Sequence, residues 1–205
     1  MSPRLDLPIA LAAWLLGFRW LVHSGSFALL VALAVAAALR LLADPVTRGL
    51  LRWPGVRALG LGAGAGLLSV LATYLLFPPL SRALPALAES AAGLYRLLGA
   101  GGLAPGLLPL VVLVVGAAEE VTWRGRSLPG AGGPALGPDE VERTLAAAAL
   151  YGLAHVASGS WLLPLLAFAF GVGWGLLRLA TGSLWPPLIA HLLWSGTVLL
   201  LRPLA

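Results

Sequence analysis

The residues of this sequence that could do chemistry are few and fall in three places. Glu119-Glu120-Val121-Thr122-Trp123-Arg124 closes the apolar run Leu107–Ala118. His155 ends the stretch Leu150-Tyr151-Gly152-Leu153-Ala154-His155, and His191 stands four residues before Ser195. Adjacent carboxylates point about 100° apart on a helix, so Glu119 and Glu120 read as having separate duties. Glu120 and Arg124, spaced i,i+4, can pair across one turn. Glu119 is then left on another face without that partner, and such a carboxylate in apolar surroundings suits general-base work near neutrality. His191 and Ser195 share a helix face. Each feature alone has a bland reading: the carboxylates mark a membrane boundary, and either histidine is a satisfied structural residue. Together, one Glu and two His on three separate helices can meet in a bundle core. Glu119, His155 and His191 are also the ligand types of many hydrolytic zinc sites, with water in the fourth position. His23 has only Ser24 and Ser26 as polar neighbours and reads as interfacial.

Composition says what must position these groups. Of the 205 residues, 60% are hydrophobic and only 10% charged, where soluble domains carry about 25% charged. Lipid is the natural solvent for such a chain. Runs free of Asp, Glu, Lys and Arg cover Trp20–Leu39, Ala58–Ser81, Leu97–Ala118, Thr144–Leu177 and Leu179–Leu201, and a spanning helix needs about 20 apolar residues. Thr144–Leu177 is too long for one helix and is split at Ser158, Gly159, Ser160 and Pro164. Within such spans a charge costs about 2.5–3.5 kcal/mol on insertion scales, so each one calls for a reason.

The expected architecture is all-α: a single polytopic transmembrane bundle over residues 1–205, with about seven spans near 7–22, 25–43, 57–78, 103–127, 140–157, 161–179 and 184–202. Residues 1–100 read as generic spans and 101–202 as the catalytic helix core. Leu7–Phe18 reads as a retained span rather than a cleaved leader, because Asp6 intrudes and no small-residue cleavage site follows. Leu80–Gly99, with Arg82, Glu89 and Arg96 at sparse spacing, reads as an amphipathic interfacial helix. Pro129–Pro138 reads as a loop, followed by Asp139 as an N-cap with Glu142 as its box partner. The small-xxx-small pairs of Gly60–Gly66 are expected to let helices pack closely. At 1.5 Å per residue, Glu119, His155 and His191 lie about 12, 23 and 10 Å from the cytoplasmic ends of their spans, a mismatch that tilt must close.

Net charge is +5 and every basic residue is Arg. The arginines lie between apolar runs rather than in a patch, which argues against a nucleic-acid partner. A cytoplasmic N-terminus places nine arginines inside and four outside, which fits the positive-inside bias and a multi-pass protein of a bacterial inner membrane. With no cysteine, disulfides, thiolate metal sites and a Cys nucleophile are excluded.

Glu119-Glu120-Val121-Thr122-Trp123-Arg124-Gly125 resembles the EExxxRG motif of the CAAX-protease and bacteriocin-processing family. Tyr151-Gly152-Leu153-Ala154-His155 resembles its FxxxH motif with Tyr for Phe, and His191-Leu192-Leu193-Trp194-Ser195 its HxxxN motif with Ser for Asn. The resemblance covers about residues 104–200 and extends to the myxosortase-like processors of C-terminal sorting tails. It implies peptide-bond hydrolysis within or near the bilayer, on a membrane-associated protein or peptide substrate. By that resemblance, Glu119 and His155 activate a water, His191 and Ser195 stabilise the oxyanion, and Glu120 and Arg124 hold the site together, with Tyr151 as a further supporting residue. It favours a metal-free route, with zinc on Glu119, His155 and His191 as the alternative. Ser195 is shorter than Asn, and loss of one oxyanion donor costs about 10²–10³ in rate. That departure motivates a second reading, a non-catalytic immunity or scaffold protein. A small transporter, motivated by charge at depth, is a third; the charges cluster in one half rather than in paired repeats. Neither the oligomeric state nor the substrate follows from the sequence.

Overall fold

The computed structural model describes residues 6–100, 103, 106–126, 128 and 137–204. The chain forms α1 (Asp6–Ser24), α2 (Ala28–Leu42), a short α3 (Pro45–Gly49), α4 (Val56–Ala83), α5 (Pro85–Ala100), α6 (Leu107–Glu119), α7 (Pro138–Ala154), α8 (Leu162–Thr181) and α9 (Trp185–Ser195). Two of these helices continue into π-helical turns, α6 into Glu120–Arg126 and α9 into Gly196–Leu201. The expected all-α bundle is what forms, with a helix in the place of each span. Among the described residues α1, α4 and α8 are long and apolar enough to cross a membrane by themselves, and α2 and Trp185–Leu201 are shorter apolar helices. The protein is an integral membrane protein.

Two close helix pairs build the half that carries the polar residues: α7 along α8, and α4 along α9. The glycines of α4 explain the second. A Cβ at Gly62 would lie 2.6 Å from both Cα and the carbonyl oxygen of Pro186, and one at Gly66 would lie 3.0 Å from the Cα of Ala190. Gly60 and Gly64, on the other face, meet nothing. Backbone therefore touches backbone along one edge of the small-residue stretch, as expected. The α7–α8 pair closes in the same way, with Gly171 against Ala148.

The long apolar run breaks where expected. α7 ends at Ala154, a 3₁₀ turn covers Val156–Ser158, and Gly159 takes φ +76° before α8 begins, a left-handed conformation that glycine adopts without steric cost. The start of α7 differs from expectation. Its N-cap is Gly137, whose N–H donates to Glu140 Oε2 at 3.0 Å, and Pro138 is the first helical residue. Asp139 and Glu142 are therefore inside the helix rather than its cap and box. Proline, with fixed φ and no N–H, is suited to the first helical position and moves the boundary two residues upstream of Asp139. The loop assigned to Pro129–Pro138 falls, except for its last two residues, outside the described residues. The stretch Leu80–Gly99, read as one interfacial helix, divides at Leu84: its first residues end α4, and α5 carries the rest and runs on to Ala100.

Candidate active site

The carboxylates come from the point where α6 changes helix type. Glu119 is the last α-helical residue and Glu120 begins the π turn, whose wider i→i+5 ladder changes the angle between neighbouring side chains and is frequent at functional sites. Residues Glu119 to Gly125 are all buried. As expected, Glu120 pairs with Arg124, Oε1 to NH1 at 3.1 Å, both almost fully enclosed. The guanidinium also sits 4.3 Å above the ring of Tyr151 and 5.5 Å from that of Trp174, positions that supply cation–π attraction in a buried site.

Glu119 departs from the reading of an unpartnered carboxylate. Its Oε2 accepts a 2.7 Å hydrogen bond from the Tyr151 hydroxyl, and its Oε1 lies 3.2 Å from His155 Nε2. Tyr151 reads from the sequence as a residue supporting the site, with Tyr in the place of Phe; the contact of its hydroxyl with Glu119 is what the sequence did not show.

His155 owes its orientation to the end of its own helix. Its backbone N–H turns to Gly152 O, which leaves the Tyr151 carbonyl without an amide partner, as happens to the last carbonyls of a helix. The ring supplies the donor, with Nδ1 2.8 Å from Tyr151 O. A carbonyl only accepts, so Nδ1 carries a proton and Nε2 faces Glu119. A hydrogen bond between Nε2 and Oε1 then needs one further proton, on either atom. Phe18 of α1 packs against the ring at 4.8 Å between centroids, so a helix read only as a generic span reaches the site.

His191 sits within α9 and bridges the two carboxylates. Its Nδ1 lies 2.8 Å from Glu120 Oε1 and its Nε2 lies 3.6 Å from Glu119 Oε2, the second distance being beyond hydrogen-bond range. The adjacent carboxylates thus meet on one imidazole despite their angular separation. Trp174 of α8 stacks on that ring at 4.5 Å and 27°, and Gly116, one turn before Glu119, leaves space for its edge, 3.7 Å from where a Cβ would be. Neither Trp174 nor Gly116 carried a signal in the sequence, where both read as ordinary apolar packing. Ser195 is buried.

Glu119, Tyr151, His155, His191, Ser195 and Trp174 line one cavity of about 140 Å³ with otherwise apolar walls. The structure thus unites Glu119, Glu120, Arg124, Tyr151, His155, His191 and Ser195, and leaves His23 exposed at the end of α1. A second apolar cavity of about 460 Å³ lies between α4, α5, α8 and α9 and shares Leu94, Leu163, Leu166, Phe170, Trp194 and Leu199 with the first. Among the described residues no three His, Cys, Asp or Glu side chains form a group that could hold a metal ion.

An all-α membrane protein with a buried carboxylate–histidine cluster at one cavity is the class that fold and site define. Within it, residues 102–197 match the model of the family described as type II CAAX prenyl endopeptidase Rce1-like, so this part of the chain is similar to that family of membrane-embedded peptidases. The match does not single out the myxosortase-like group. No curated protein matches the chain. No solved structure matches it either.

Proposed function

We propose that the protein is an intramembrane endopeptidase that hydrolyses a peptide bond near the C-terminus or membrane segment of a lipid-associated substrate, with a water activated by Glu119 and His155. The observation that carries this reading is the Glu119–His155 contact at 3.2 Å inside a largely apolar cavity. Hydroxide and carboxylate chemistry both gain strength where water is scarce.

In this reading a water lodges against the Glu119–His155 pair and gives up a proton to it. The resulting hydroxide adds to the scissile carbonyl. His191 Nε2 and the Ser195 hydroxyl face the developing oxyanion, and Nε2 must carry a proton for that duty because Nδ1 is committed to Glu120. The proton held by the pair then passes to the leaving amine. Glu120 and Arg124 fix His191 and tie the π turn to α9. The adjoining apolar cavity suits a lipidic chain on the substrate, in keeping with the prenyl-protein description of the family. The arginine distribution supports a cytoplasmic N-terminus.

The test compares the termini of membrane proteins in cells carrying the wild type and Glu119→Gln. Shortened C-termini that vanish in the variant are the expected result. Identical termini in both would instead favour a non-catalytic scaffold. Cleavage that persists after exhaustive chelation supports the metal-free route. Loss that added zinc restores would make Glu119, His155 and His191 ligands instead.

A further inference from the structure

Tyr151 touches both members of the Glu119–His155 pair, with two different parts of itself. Its hydroxyl donates to Glu119 Oε2 at 2.7 Å, and its main-chain carbonyl accepts from His155 Nδ1 at 2.8 Å. Its ring meets the imidazole edge-on at 4.7 Å and lies beneath the Arg124 guanidinium. The residue is almost wholly buried, so no bulk water substitutes for either hydrogen bond. The carbonyl contact belongs to any residue at this position. The hydroxyl belongs to this chain, because the motif that the segment resembles has Phe there.

We infer that the Tyr151 hydroxyl is a positioning residue for Glu119: it holds Oε2 so that Oε1 is presented to His155, and it keeps the carboxylate in its ionised, proton-accepting form. A carboxylate on a two-bond stem turns freely about its last torsion, which is broad and roughly two-fold. One oxygen anchored by a buried donor fixes the other. A donor to the charged form of a carboxyl also favours that form. His191 Nε2, at 3.6 Å from the same oxygen, is too far to do this in the phenol's place. The inference rests on Glu119 serving as base in the proposed reaction, but its structural half can be read without any substrate.

The experiment uses the full chain in lipid vesicles, as wild type and Tyr151→Phe, which keeps the ring contacts. Dicyclohexylcarbodiimide, which reacts with buried protonated carboxyls, is the probe, and peptide mass spectrometry reads the label on Glu119 and Glu120 separately. The expected result is labelling of Glu119 faster by roughly tenfold in Tyr151→Phe, the scale of one hydrogen bond to a charged group, with Glu120 unchanged. Equal rates at Glu119 in the two proteins, or equal acceleration at both glutamates from general loosening, would overturn the inference. With a farnesylated CAAX peptide carrying a fluorophore and quencher, Tyr151→Phe should lower kcat and leave KM unchanged. A change confined to KM would also overturn it. A wild type that cleaves nothing would defeat the protease reading, while the labelling result still decides the role of Tyr151.

Discussion

The two histidines are held in opposite ways. His155 stands at a helix end, and its Nδ1 is fixed by a backbone carbonyl of its own helix. His191 stands within a helix, and its Nδ1 is fixed by a carboxylate that also holds Arg124. A carbonyl is uncharged and cannot change protonation, so the His155 side leaves Nε2 and Glu119 to exchange a proton. On the His191 side a cation, a carboxylate and an imidazole form a buried network, where removing one member leaves the others unpaired. The first arrangement suits proton transfer and the second suits structure and fixed charge. Loss of function should therefore separate from loss of stability across a few ångströms.

The largest expected effect lies on the His155 side. His155→Ala should lower turnover by about 10²–10⁴-fold, the usual share of general acid–base catalysis, with the melting temperature in detergent held close to wild type. A variant that melts early would erase the distinction. On the other side, Glu120→Gln strips the charge that pairs Arg124 and should destabilise the fold by about 3–5 kcal/mol, read by thermal or denaturant unfolding. A stable but inactive Glu120→Gln would place Glu120 in the chemistry instead. Gly62→Ala sharpens the comparison from behind α9, the helix that carries His191. The new methyl meets Pro186 backbone at 2.6 Å, and overpacking of that kind costs about 1–3 kcal/mol. Gly64→Ala, which faces open space, should unfold like the wild type. The smallest effect is Trp174→Leu, which removes the ring stacked on His191. A loss of about 0.5–1.5 kcal/mol is expected for such an aromatic contact, seen as a modest fall in kcat, while Phe18→Leu should act on the His155 side of the cavity.

The sequence made some of this legible and hid the rest for identifiable reasons. Helix positions were readable because charge is excluded from spans, and the break near Gly159 because Ser, Gly and Pro cluster there. The polar set itself was readable because Glu, His and Arg are costly in lipid and need partners. The partners were harder. Nothing in Glu120–Arg126 marks an i→i+5 ladder, so one histidine joining two adjacent carboxylates could not be foreseen from an α-helical angle. The depth count put His155 about 11 Å deeper than Glu119 at 1.5 Å per residue, yet their side chains meet, because depths counted along separate helices need not share a common baseline. Phe18 and Trp174 sit in apolar runs where an aromatic reads as packing, and only the fold shows which ring it covers. Asp139 looked like a cap because its side chain suits one, but Pro138 fixed the helix start first.

The most direct measurement reconstitutes the wild type and Glu119→Gln in vesicles side by side and follows release from a quenched farnesylated CAAX peptide. The expected result is cleavage by the wild type and none by Glu119→Gln, with the two proteins equally folded. Equal cleavage by both, from equally folded protein, would contradict it.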